Sequence, residues 1–509
     1  MTQTQTQHFN LIDEPWVPVT GTGRVSLKQL FSHPEYRTLG GNPVEKIAMT
    51  KLLLALAQAA DTPTDEAAWA KMGTAGMARS CLDYLDQHYD RFWLYGGTQP
   101  FLQMPEVVRA KKQSYGAVSP EKATGNTTVL TQISVEKPLS PAEQAVLLVC
   151  LMGFALGGKK ADNQVVLTAD YTGKSASAKP GPSLGLFGLL HSFLLGSSIL
   201  ETLWLNLLTH EHINGLRVLS AGLGQPPWEK MPNDEACDQA KTLQNSLMGR
   251  LLPLSRFCLL TDEGLHYSEG IAHPGYKEGM IDPSISIDVS GKEPKALWVD
   301  PEKRPWRFLT AMLSFIEQDS SGGFDCLYLR SGLPRARQHM PKRGIGSVGI
   351  WSGGLRVSSN AGEQFVSGYN DFVESTVLLD LNTLGEVWFA HLKKEMDGLD
   401  ALSKSLYKCV VNYGKTLKTD NKKQAKQATN LFWQLCESKF QHLIQNCDKA
   451  DQINQLRRTF MSFAEQCYNH FCPHGTARQL EAWAKNQSHL AIYRKKQIHP
   501  KESAHDSTP

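Results

Sequence analysis

Past Thr376 the texture of this 509-residue chain changes, and that change limits the possible folds more than any single motif does. Long segments rich in Leu, Lys, Gln and Ala run to about residue 495, with breaks near Gly414 to Asn421, Cys447 to Asp451 and Pro473 to Gly475. Helix formers between such breaks predict four helices packed as a bundle over 375–495. Upstream the pattern is mixed. Residues 44–60 and 142–156 have the apolar density of helices, and from about Leu251 to Val373 apolar pairs alternate with Gly, Pro and Asp clusters, as short strands and turns do. The sequence therefore predicts an α+β class: a mixed body over 1–370, a four-helix bundle over 375–495 and a disordered tail over 500–509.

The formal charge is only +3, too mild to mark the whole chain as a nucleic-acid binder, so any such signal has to be local. Ten cysteines are scattered without a C-x-x-C pair, and no signal peptide precedes Phe9, a pattern of reduced thiols in a cytoplasmic protein. The apolar run from Ala145 to Gly158 is shorter than the roughly 20 residues a bilayer span needs. A longer one, Leu184 to Leu208, carries His191, Ser192, Glu201 and Asn206 where lipid would penalise them, so both runs read as core helices rather than membrane spans.

Lys342 to Arg356, KRGIGSVGIWSGGLR, contains a G-x-G-x-x-G match. A dinucleotide fingerprint needs a strand before the glycines and a helix after them. Two prolines lie in 334–341, and Gly353-Gly354 would break a following helix, so the match fails on both flanks although Asp371 sits near the expected acidic position. Charge gives a better account. From Cys326 to Gly362 there is no acid but there are Arg330, Arg335, Arg337, Lys342, Arg343 and Arg356, with seven glycines among them. That pattern suits close approach of backbone and cations to a phosphate chain or a DNA groove, against the alternative of a solvated basic loop.

Other matches carry less. Gly181-Pro182-Ser183-Leu184-Gly185 fits the nucleophile elbow of α/β hydrolases, but no buried strand precedes it, so a serine hydrolase using Ser183 stands only as the enzymatic alternative. Cys467, His470, Cys472 and His474 are too tightly spaced for one tetrahedral zinc site and read as core and helix-end residues. His210-Glu211-His212 lacks zincin spacing and reads as a surface turn. Seven lysines between Lys404 and Lys426, with Asp420 the single acid, read as a helix end plus an exposed loop, solvated or touching a nucleic-acid backbone.

FNLIDEPWVPV at 9–19, RFWLYGGTQPFLQ at 91–103 and GLFGLLHSFLLGSSILETLWLNLL at 185–208, with a helical C-terminal quarter, resemble the large subunit of type I-E CRISPR Cascade, the CasA family. The resemblance implies a non-catalytic subunit without cofactor that recognises the protospacer-adjacent motif on double-stranded DNA, starts strand separation and presents the target to a helicase-nuclease. Its partners would be the other Cascade subunits and the guide RNA. A scaffold that never touches DNA and the large subunit of a related type I complex are the rival readings.

Carried over residue by residue, the family's minor-groove loop looks like Gly157, Gly158, Lys159 and Lys160, and its wedge like Gly354 to Ala361, with Ser359 and Asn360 where amide side chains are usual. Ser359 departs from that pattern. Lys277 is the candidate for the groove-reading lysine, and Arg343 and Arg356 are the flanking cations. The loop engaging the rest of the complex looks like Asn126 to Thr131, where Leu130 stands in place of an aromatic residue. Some members carry a cysteine-rich zinc insertion; here only Cys258 falls in that region, which implies no metal.

Overall fold

The computed structural model describes residues 8–119, 138–155, 165–168, 188–278, 282–317, 323–360, 363–365 and 371–498. The chain divides into two compact units, one of residues 1–315 with 319–377, the other of 316–318 with 378–509.

In the first unit, α1 (Pro43–Ala60) and α3 (Pro141–Phe154) form the centre. Each starts the same way: an Asn42 or Ser140 cap accepts from the backbone of the glutamate three residues on, that glutamate reaches back, and proline occupies the first turn. Both helices are apolar nearly all round, so they are covered on most sides. Between them in sequence lies α2 (Glu66–Gln87), bent at Gly73, whose φ of 60° is left-handed.

The run from Leu184 to Leu208, read from sequence as core helices, contains a strand: β1 (His191–Leu195), then α4 (Ile199–Asn206) capped by Ser198. A short apolar run fits a doubly buried strand as well as a helix, and Gly196-Ser197-Ser198 divides this one. Farther on come α5 (Leu327–His339), which contains Pro334, and β2 (Ser347–Leu355). The glycine-rich stretch is therefore not a loop. β2 pairs antiparallel with β1 from Gly349 opposite Leu195 to Gly353 opposite His191. A Cβ at 349 would lie 2.9 Å from that of Leu195, and one at 353 2.7 Å from the Trp351 ring, so these glycines serve close packing.

After β2 the chain makes a small hairpin, β3 (Ser358–Asn360) with β4 (Glu363–Phe365), and returns as β5 (Phe372–Asp380) beside β2, giving the sheet order β5-β2-β1. The last residues of β5 belong to the second unit.

That unit holds α6 (Glu386–Leu417), α7 (Lys422–Asn446), α8 (Ala450–Phe471) and α9 (Ala477–Ile498). Together they make the four-helix C-terminal part of an α+β protein. Trp388 Nε1 donates to the Ile444 carbonyl at 3.0 Å and the Tyr413 hydroxyl to that of Pro473 at 2.6 Å. Inside the bundle Arg457 Nε donates to Glu395 at 2.8 Å. Cys467 is buried in α8 and Cys472 ends it, the core and helix-end roles read from sequence. All ten cysteines are free thiols, and among the described residues no helix is long and apolar enough to cross a membrane.

Candidate nucleic-acid interface

Gly157, Gly158, Lys159 and Lys160, the contact loop with Asn126 and Leu130, and Ser183 lie outside the described residues. Lys277, Arg343, Arg356, Ser359 and Asn360 are placed.

Ser359 and Asn360 belong to the β3–β4 hairpin, where Ser359 stands opposite Gln364 and Asn360 opposite Glu363. The hairpin lies in the excursion between β2 and β5, two strands that pair with each other. Gln364, an amide residue beside the two candidates, was missed from sequence because nothing in the linear order pairs 359 with 364. At the base of the excursion Arg356 N donates to the Asp371 carbonyl at 2.8 Å, and the Arg356 guanidinium meets the Asp371 carboxylate at 2.6 Å. Asp371 is buried and Arg356 half-exposed.

Arg343 is also engaged. Its guanidinium donates to the Ala70 carbonyl at 3.0 Å, beside the Gly73 bend, and covers the Trp204 ring at 4.7 Å. Trp204 stacks on Trp69 at 4.0 Å, and Arg335 lies 4.7 Å over the far face of Trp69. The result is a four-layer stack, guanidinium–indole–indole–guanidinium, in which each indole N–H donates to the other tryptophan's carbonyl. Arg335 is buried and donates to the Leu207 carbonyl at 2.5 Å and to Glu66 at 2.9 Å. His210-Glu211-His212, read from sequence as a surface turn, opens the short helix His210–Asn214, and His212 borders the same cluster.

Lys277 is exposed on a short 3₁₀ turn, and its Nζ lies 3.2 Å from Glu293, whose hydrogen bond and charge raise the ammonium above its ordinary pKa. Tyr276 packs with Leu189, Ile285 and Ile287, and Asp282 makes a fully buried ion pair with Lys51 at 2.5 Å. Burial pushes the Asp282 carboxyl up, but the Lys51 ammonium and the hydrogen bonds from Lys51 and Ser284 outweigh it and bring it below the usual range.

Ser284 bonds to both His191 and Asp282, which invites a hydrolase reading. The geometry opposes it. The Ser284 hydroxyl donates to Asp282 at 2.6 Å and meets His191 Nδ1 at 2.7 Å, so the serine sits between base and carboxylate instead of at the end of a relay. All three are buried, and burial lowers His191 to about 3, keeping it neutral. They tie β1 to the 282–286 segment.

The profile described as CRISPR-associated protein Cse1 (CRISPR_cse1) matches residues 10–486. A curated relative from Thermus thermophilus, CRISPR-associated protein CasA/Cse1, is 29% identical over 332 residues, which is 60% of each chain. The aligned region thus spans about three fifths of that relative's length. The crystal structure of Thermus thermophilus CasA matches with a TM-score of 0.72 at 20% identity, covering 96% of this chain and 99% of that one. A chain from a structure titled CRISPR RNA-guided surveillance complex matches with a TM-score of 0.58 at 15% identity, over 95% and 99%. The class is that of the large subunit of type I-E Cascade named from the sequence. The chain belongs to the Cse1 family.

Proposed function

We propose that this chain is a non-catalytic, cytoplasmic subunit of an RNA-guided surveillance complex. It reads the protospacer-adjacent motif on double-stranded DNA, starts strand separation for R-loop formation and helps recruit a helicase-nuclease. Family membership supports the assembly, as does the likeness to a chain from a surveillance complex. Guide RNA and partner subunits would read the rest of the target by base pairing, a division of labour known for single-protein RNA-guided nucleases.

The observation that carries the reading is the β3–β4 hairpin. Opening the first base step beside the motif costs a few kcal/mol, and a wedge can supply that work only from a fixed position. The excursion leaves from β2 and returns into the paired β5, which gives it such a position, and Ser359 and Asn360 lie in the hairpin's first strand. Lys277, on an anchored segment, and the Gly157–Lys160 loop are the proposed groove readers. Arg343 is proposed to act through the stack that shapes the body near α2.

The test is a Ser359→Ala/Asn360→Ala variant in the reconstituted complex. It should bind fully paired motif-bearing duplexes poorly and recover on duplexes whose first few pairs are mismatched. Equal impairment on both would remove the wedge. Labelling of the chain by a fluorophosphonate probe at Ser183 would instead support the hydrolase alternative.

A further inference from the structure

Arg356 looks from sequence like one more cation available to DNA, and the structure assigns it another part. We propose that Arg356 is a positioning residue that clasps Asp371 at the base of the β3–β4 hairpin and so fixes where the wedge stands. The inference rests on the reading of Ser359 and Asn360 as that wedge.

Arg356 is the first residue after β2 and Asp371 the last before β5, so the pair closes the neck of a 16-residue excursion. Two contacts join them, the 2.8 Å backbone hydrogen bond and the 2.6 Å ion pair. They differ in burial: the Asp371 side chain is 2% exposed and that of Arg356 42%. A buried carboxylate needs its cation, and a charge-assisted hydrogen bond to it is among the stronger protein contacts. The guanidinium is therefore committed at the neck. A second support lies behind it, because Gly188, in the left-handed region at φ 60°, brings its Cα against Val357, where a Cβ would fall 3.3 Å from the Val357 nitrogen. Two short strands are marginal by themselves, so the neck that holds their ends matters to where they stand.

A clasp and a DNA contact predict opposite signs for one substitution. Asp371→Asn leaves Arg356 in place but releases its charge. If Arg356 touches phosphate, the variant should bind every duplex more tightly. If Arg356 is the clasp, Asp371→Asn should weaken binding of fully paired motif-bearing duplex about tenfold, the loss expected for one charge-assisted hydrogen bond, while binding of a duplex with its first pairs mismatched stays unchanged. Arg356→Ala should give the same two-target pattern, Arg356→Lys should recover part of it, and the salt dependence should not shift. The experiment uses the reconstituted complex, with thermal melts confirming that each variant is folded. Tighter binding by Asp371→Asn, or a salt slope lowered by about one in Arg356→Ala, would overturn the clasp. If Arg356→Ala does not fold, Asp371→Asn alone decides. The Ser359→Ala/Asn360→Ala variant serves as the reference: if it is impaired equally on both targets the wedge reading has failed, whereas if it recovers and the clasp variants behave as wild type, the clasp alone has failed.

Discussion

Residues 326–362 of the first unit hold six cations and no acid; residues 404–426 of the second hold seven lysines and one acid. Linear charge makes them look alike, and the structure treats them oppositely. In the first, Arg330 pairs with Asp325, Arg335 with Glu66 and the Leu207 carbonyl, Arg343 with the Ala70 carbonyl, and Arg356 with Asp371. Only Arg337 and Lys342 are exposed without such a partner among the described residues. In the second, Lys404, Lys408, Lys415, Lys418, Lys422 and Lys423 all stand exposed, from the second half of α6 to the start of α7. The difference is chemical. A planar guanidinium with five donors stacks on indoles and bridges carbonyls, whereas an ammonium on a long stem stays hydrated. Arginine in a basic run is as much a structural strut as a ligand for phosphate.

The largest effect expected from this contrast is on stability. Arg335→Met should cost the first unit about 3 kcal/mol, because it removes the buried guanidinium's hydrogen bonds to the Leu207 carbonyl and Glu66 and one layer of the tryptophan stack. Replacing Lys408, Lys415 or Lys422 by alanine should stay within about 0.5 kcal/mol. Urea unfolding followed by tryptophan fluorescence reads both, and a neutral Arg335→Met would break the contrast.

Acid should separate the two units next. Burial lowers His191 and His273 to about 3, so in the folded first unit they stay neutral while the unfolded chain takes up their protons below the ordinary histidine value near 6.5. Stability is then full above that value and is lost as pH falls toward 3, by about 1.4 kcal/mol per pH unit for each histidine. In the second unit His391, His442, His470 and His474 are exposed. Melting curves between pH 7 and 4 should show the first unit weakening sooner, and His191→Gln should flatten its slope.

On nucleic acid the order reverses. A Lys415→Ala/Lys418→Ala/Lys422→Ala variant of the assembled complex should lower the salt dependence of duplex binding by about 2 to 3 in slope if that turn lies along a phosphate backbone, and Arg343→Ala should leave it unmoved. The smallest effect expected is at Glu293. Glu293→Gln releases Lys277 from an exposed pair of small energetic value, so duplex affinity should rise no more than about fivefold, and only at low salt. Titrations at two ionic strengths resolve it.

Much of the architecture was legible in the sequence. Breaks at Gly, Asn and Pro mark the four C-terminal helices, although Gly414 proves to lie inside α6, where a Cβ would meet Asn421 at 2.6 Å. The capping boxes at Asn42 and Ser140 explain why 43–60 and 141–154 start where they do. FNLIDEPWVPV is recognisable because it is core: Leu11, Ile12, Trp16 and Val17 are buried, and the Trp16 indole donates to the Leu11 carbonyl. What failed depends on partners far away in the chain. His191 to Leu195 reads as helix until β2 is beside it, and the 347–355 glycines read as room for DNA or as a basic loop until Leu195 and Trp351 fill the space next to them. For the candidate site, the positions of Ser359 and Asn360 came from resemblance, but the hairpin, Gln364 and the Arg356–Asp371 neck came only with register.

The most direct test of the central claim is a randomised-motif binding screen on the guide-RNA complex, assembled with and without this chain. The chain should copurify with the complex, and a short motif beside the guide-matched sequence should be enriched only when the chain is present, with enrichment reduced by Lys277→Ala. Equal enrichment without the chain, or none with it, would contradict the assignment of motif recognition to this subunit.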